Sequence, residues 1–235
     1  MTCLTPDLQQ VIIQAENAFD EPDEYFKKLS KLVAFKTESQ LSTSLPILFD
    51  YLKQGVGPLF KELGYDIKIF ENPIIGAGPV MLAERDEGSQ FTVVGYGHGD
   101  VIHGQEGKWE NNRNPWKLSF EGNKVYGRGT VDNKGQHLAH LTALKSLIKK
   151  KNKLGFNHRF IIEMGEENGS SGFRKLVQNN LDCFSGDVFF ASDGPRTEIE
   201  KPNITLGNRG VLNFDLVCIE KFLKHLKLQY PEESA

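Results

Sequence analysis

The stretch that decides the fold is Phe91–Asp100, FTVVGYGHGD. Its first six residues are β-branched, aromatic or small and follow a polar turn, so Phe91–Tyr96 reads as a strand. That strand runs straight into Gly97-His98-Gly99-Asp100, an imidazole and a carboxylate set among glycines. Two later segments repeat the pattern. His158–Glu163 reads as a strand and continues into Met164-Gly165-Glu166-Glu167-Asn168-Gly169; Asp187–Ala191 reads as a strand and continues into Ser192-Asp193-Gly194-Pro195. A fourth segment, GRGTVDNKG (127–135), sets Asp132 just before a helical run from Asn133 to about Lys150. That run's buried face is Leu138, Leu141, Leu144, Leu147 and Ile148.

Working outward, Tyr65–Glu71 and Val80–Glu84 read as strands, and Val125–Tyr126 as a brief one after a loop rich in glycine and asparagine from Gly97 to about Asn123. Helical spacing covers Leu8 to Lys36, interrupted at Glu21-Pro22-Asp23, where proline suits the start of a second helix. Further helices span Ser44–Leu63, with Gly55 and Gly57 weakening its middle, and Ser170–Asn179. Helices mixed with strands in this order give an α/β layered domain with a mostly parallel sheet, where ligands collect at the carboxyl ends of the strands.

Composition narrows the function. The chain has 235 residues, 39% of them hydrophobic, enough for a sizeable core in one large domain or two small ones. A formal net charge of -3 gives no general attraction to nucleic acid or to an anionic membrane. No apolar run approaches the ~20 residues that cross a bilayer, and the first ten residues lack the pattern of a signal peptide. Cys3, Cys183 and Cys218 are too few and too scattered for a disulfide framework or a paired-cysteine zinc site. These features predict a cytoplasmic protein with reduced thiols.

Taken singly, Asp132 reads as a helix cap, Glu166-Glu167 as a solvated turn and His98 as an ordinary hydrogen-bonding residue. Four such sites at element ends point elsewhere. Converging carboxylates repel one another and raise each other's pKa, a state best tolerated when cations bind. One imidazole among several carboxylates fits zinc, with manganese or cobalt as substitutes. A carboxylate shared by two metals would hold them ~3.5–4 Å apart.

The segments GHGDVIHG (97–104), YGRGTVDNKG (126–135), EMGEENGSSGF (163–173) and ASDGP (191–195), with Asn114-Pro115-Trp116 between the first two, resemble a known family. It is the zinc-dependent exopeptidase and deacylase family of carboxypeptidase G, acetylornithine deacetylase, succinyl-diaminopimelate desuccinylase, aminoacylase and the carnosinases. The resemblance runs from about residue 25 to 217. It implies a three-layer α/β/α catalytic domain with a mostly parallel mixed sheet and two zinc ions, with Co2+ or Mn2+ as alternatives. His98 and Asp193 match ligands of one metal, Asp132 the carboxylate shared by both, and Glu167 a ligand of the other. Asp100 matches the residue that orients the His98 imidazole, and Glu166 the general base that takes a proton from the attacking water. The implied reaction is hydrolysis of the amide bond of a dipeptide or an N-acyl amino acid, and full-length relatives imply a homodimer.

The resemblance also divides the chain. Residues 1–203 match an incomplete catalytic domain and 204–217 the start of a lid or dimerisation domain; 218–235 form a divergent tail with a short amphipathic pattern. The family's last histidine ligand and the lid histidine that stabilises the oxyanion have no counterpart, since His103, His137, His140, His158 and His225 match neither. The expectation is an amino-terminal portion of such an enzyme, impaired or inactive at this length, with a second metal site lacking a ligand and with room for a complementing chain. A non-catalytic metal-binding subunit and a degraded gene product are the alternatives. Lys108, Trp109 and Arg113, in the loop Gly104–Asn114, are candidates to line the entry, and Arg209 is a candidate to contact a substrate carboxylate.

Overall fold

The computed structural model describes residues 5–20 and 23–194. Cys3, Cys218, Arg209, His225 and the stretches 204–217 and 218–235 lie outside the described residues. Two helices open the chain, α1 (Pro6–Asp20) and α2 (Asp23–Val33), on either side of the predicted break. The expected helix from Ser44 to Leu63 is divided into α3 (Leu45–Asp50) and α4 (Gly57–Lys61) by a wider turn over Tyr51–Val56. There the Gly57 N–H reaches back five residues to the Leu52 carbonyl. Pro58 directly follows; it has no N–H and its ring crowds the preceding turn, which the wider turn accommodates. Gly57 suits the place because a Cβ would overlap the Leu52 carbonyl.

Five strands make the central sheet in the order β1 (Asp66–Phe70), β2 (Val80–Arg85), β6 (Asn157–Glu163), β3 (Thr92–His98), β7 (Val188–Ala191). β2 is antiparallel to both β1 and β6, whereas β6 and β7 flank β3 in parallel. Four strands therefore point one way and β2 alone is reversed, a mostly parallel mixed sheet. β4 (Ser119–Glu121) and β5 (Lys124–Tyr126) form a separate hairpin, whose first strand falls within the stretch expected to be loop. After it come α5 (Lys134–Lys151), α6 (Phe173–Gln178) and α7 (Leu181–Phe184). No described helix is long and apolar enough to cross a membrane.

Alternation along the strands creates the three layers. Met81, Ala83, Phe160 and Ile162 pack on one face against Leu29 and Leu32 of α2, Phe60 of α4 and Leu138, Leu141 and Leu144 of α5. Val80, Leu82, Val94 and Ile161 face the other way, onto Leu176 of α6 and Phe184 of α7. A sheet buried on both faces explains the unbroken apolar runs of β2 and β6. Its register then sets up the site. His98 pairs with Glu163, and Tyr96 with Ala191, so β3, β6 and β7 all end at the same edge.

Candidate metal centre

His98 is the last residue of β3 and is fully buried. Its two ring nitrogens face different partners. Nε2 lies 2.8 Å from Asp132 Oδ1, 3.7 Å from Asp193 Oδ2 and 3.8 Å from Glu166 Oε2. Nδ1 lies 3.0 Å from the Asp100 carbonyl and 3.4 Å from its carboxylate. A ligand oxygen of Glu167 falls within 4.8 Å of those of His98 and Asp132. Six residues singled out in the sequence, spanning 98 to 193, thus converge on one edge of the sheet.

Asp100 has a second task that sequence reasoning missed. Its carboxylate accepts the backbone N–H groups of Glu166 (3.3 Å) and Glu167 (3.1 Å). One buried side chain therefore fixes both the imidazole and the turn carrying the paired glutamates. Glu163 was also missed. It is buried at the end of β6 and accepts from the Tyr96 hydroxyl and the Ser170 hydroxyl, each at 2.6 Å. Lys134 is a third: fully buried, it donates to the Leu32 (3.1 Å) and Phe35 (2.8 Å) carbonyls and ties the start of α5 to the end of α2. Burial draws its pKa down to about 7. A polar residue in a helix's first turn gave no sign of this, because its partners lie a hundred residues away.

Burial opposes a charge on His98, but hydrogen bonds to Asp100 and Asp132 and the charges of Asp100 and Asp193 outweigh it, holding the imidazole up to about 11. Asp132 is lowered by its hydrogen bond to His98. Glu166, Glu167 and Asp193 are raised, first by burial and then by neighbouring carboxylates. The imidazolium proton supplies positive charge that the carboxylates demand, and a divalent cation would supply more. An imidazole nitrogen with several carboxylate oxygens is a donor set that fits zinc or manganese.

The other described histidines stay out of the cluster. His103 is half exposed beside Glu38, at 3.6 Å. His137 is buried with Nε2 2.7 Å from the Tyr51 hydroxyl, and His140 Nδ1 lies 2.9 Å from the Ser192 hydroxyl. His158 Nδ1 lies 2.8 Å from the Tyr65 hydroxyl. A cleft of about 500 Å³ adjoins the cluster, lined by Asp132 and Glu167 and by Trp109, Tyr126 and Arg128. Of the entry loop's three candidates, Trp109 lines it. Arg113 instead stacks on Tyr126 and pairs with Glu121, and Lys108 is exposed.

Fold and site together define a class: an α/β protein that gathers an imidazole and carboxylates at the carboxyl ends of parallel strands. Residues 94–227, over half of the chain, match the model of Peptidase family M20/M25/M40, and the chain belongs to that family. It is 40% identical over 202 residues to the human Beta-Ala-His dipeptidase, covering 80% of this chain and 39% of that one. It is 31% identical over 195 residues to the succinyl-diaminopimelate desuccinylase of Rickettsia prowazekii, covering 82% of this chain and 49% of that one. The solved structure of human carnosine dipeptidase 1 superposes with a TM-score of 0.69 at 29% identity, over 80% of this chain and 41% of that one. The chain thus spans less than half the length of these relatives.

Proposed function

We propose that this chain carries the metal-binding part of a zinc-dependent peptidase that hydrolyses the amide bond of dipeptides or N-acyl amino acids. His98, Asp132 and Asp193 would hold one cation, and Asp132 with Glu167 would contribute to a second. Bound there, the cations would polarise the scissile carbonyl and acidify the attacking water. The chain's own residues do the rest. Asp100 accepts the Nδ1 proton of His98, which fixes the tautomer and leaves Nε2 free to bind a metal. Glu166 is the general base: its carboxylate takes a proton from water and returns it to the leaving amine. Partial burial raises its pKa and so strengthens it as a base. The cleft beside Trp109 and Arg128 is the entry for a small substrate.

The observation that carries this reading is the division of labour on His98, with Nε2 toward three carboxylates and Nδ1 toward Asp100. A second reading, metal binding without turnover, draws support from the ligand count: among the described residues, His98 is the one imidazole in the cluster. Elemental analysis of the purified chain after zinc loading, with an assay of β-alanyl-histidine and N-acyl amino acid hydrolysis, separates them. Hydrolysis abolished by Glu166→Gln with zinc content unchanged supports the peptidase. Zinc content lost in His98→Ala, with no hydrolysis by the parent chain, supports binding alone. No zinc uptake by the parent chain overturns both.

A further inference from the structure

Asn133 follows the proposed bridging carboxylate Asp132 and is fully buried. Its side-chain amide touches two of the other ligand-bearing segments. Oδ1 accepts the backbone N–H of His98 at 3.2 Å, and Nδ2 donates to the Ser192 carbonyl, next to Asp193, at 2.6 Å. The partners dictate this orientation, since an N–H needs the oxygen and a carbonyl needs the NH2. One planar group thus links the end of β3 to the end of β7, from a backbone that also carries Asp132.

The surroundings are built around that amide. Gly97 leaves it room: a Cβ there would sit 2.7 Å from Asn133 Oδ1 and 3.0 Å from the His137 Cβ. His137 Nδ1 lies 3.2 Å from the same oxygen, and its other ring nitrogen is held by Tyr51. Ser192 is secured twice more, its hydroxyl by His140 Nδ1 and its N–H by the Tyr96 carbonyl at 3.1 Å. None of these residues lines the cleft, although the Asn133 amide also interacts with the Asp193 carboxylate. Their joint effect is to fix where His98 and Asp193 stand relative to Asp132.

We propose that Asn133 is the positioning residue of the metal centre, setting the spacing of His98 and Asp193 around one cation through its two-ended amide. This inference rests on the ligand assignment above. A carboxamide of this size offers N–H donors and a carbonyl acceptor in one plane without having to take up a proton. Aspartate keeps the acceptor but turns an oxygen toward the Ser192 carbonyl; alanine loses both bonds.

Cobalt titration of the full 235-residue chain tests it, with visible absorption reporting coordination geometry and affinity. For Asn133→Ala we expect cobalt affinity to fall about 10–100-fold, the usual cost of removing a group that orients ligands. The d–d bands at saturating cobalt should also shift, while the far-ultraviolet circular dichroism of the metal-free chain stays that of the parent. If the alanine variant does not fold, Asn133→Leu, of similar size but with no charge and no hydrogen-bonding group, carries the same test. Parent-like cobalt bands and affinity in a folded variant would overturn the inference, even with a lower melting temperature, since that is what a merely structural role produces. Failure of the underlying ligand assignment reads differently: parent chain and His98→Ala would then titrate identically with cobalt.

Discussion

β6 and β7 flank β3 from opposite sides, both parallel to it and both apolar, yet they live in different surroundings. Phe160, Ile161 and Ile162 of β6 are at most 3% exposed, whereas Val188, Phe189 and Phe190 of β7 are 45%, 62% and 50% exposed. β6 has β2 on its far side and helices over both faces; among the described residues, no strand pairs with the far side of β7. Similar sequence therefore gives a core strand in one place and, among the described residues, an exposed apolar edge in the other. The contrast extends to the chemistry each strand delivers. The Glu166–Glu167 turn after β6 is pinned by the buried Asp100 carboxylate. Asp193 after β7 is placed by the Ser192 ties to Asn133, His140 and Tyr96 and by its own side chain's interaction with the Asn133 amide.

The sharpest break is at the core. Phe160→Ala should cost about 3–5 kcal/mol, the usual range for emptying a buried aromatic site, read from urea denaturation of the metal-free chain. A cost below 1 kcal/mol would mean that β6 is no better packed than β7. Next in size is Asp100→Asn. It keeps the shape but turns an amide toward groups that need an acceptor, so zinc affinity should fall about 10–100-fold in a chelator competition. An unchanged affinity would remove Asp100 from the account of the glutamate turn.

Acidification probes the histidines His140 and His158, packed against each other at β6. His140 packs on Phe160 of β6 and Phe190 of β7, at ring-centroid distances of 4.9 and 5.7 Å. Burial lowers its pKa to about 4, and burial with the nearby His140 lowers that of His158 to about 3. Both titrate near 6.5 when unfolded. Between about pH 6.5 and 4 the unfolded chain therefore binds more protons than the folded one. The contribution of these residues is complete above pH 6.5 and is lost as pH falls, by up to roughly 1.4 kcal/mol per pH unit for each group. Urea midpoints at pH 7 and pH 5 should show the loss, and His158→Phe should make the pH dependence shallower. Equal slopes in both proteins would contradict it. The smallest effect is expected at the open edge. Phe189→Ser should change stability by no more than about 0.5 kcal/mol yet reduce self-association in light scattering, because it removes exposed apolar surface from a strand that is unpaired on its far side among the described residues. Loss of folding would show that β7 is covered after all.

The same contrast explains what the sequence could reveal. Apolar periodicity located β3, β6, β7 and α5 to within two residues at each end, because burial on a face leaves a repeating mark; it began α6 three residues early and gave no sign of the four-residue α7. It was silent on β4, which is short and half exposed, and on the exposure of β7, because an apolar run looks the same covered or bare. Candidate metal ligands were legible because glycines and clustered acids at strand ends are unusual. Asn133, Lys134 and Glu163 were not. Each is a polar residue whose meaning lies in partners brought close only by the fold: the His98 N–H and Ser192 carbonyl, the α2 carbonyls, the Tyr96 hydroxyl. Local sequence carries no trace of such pairings.

We propose that His98, with the carboxylates before its Nε2, holds a divalent metal. Isothermal titration of zinc into the purified chain and into His98→Ala tests it most directly. The expected result is saturable binding of at least one zinc ion per parent chain and loss of that binding in the variant. Indistinguishable titrations, or none in the parent chain, would contradict it.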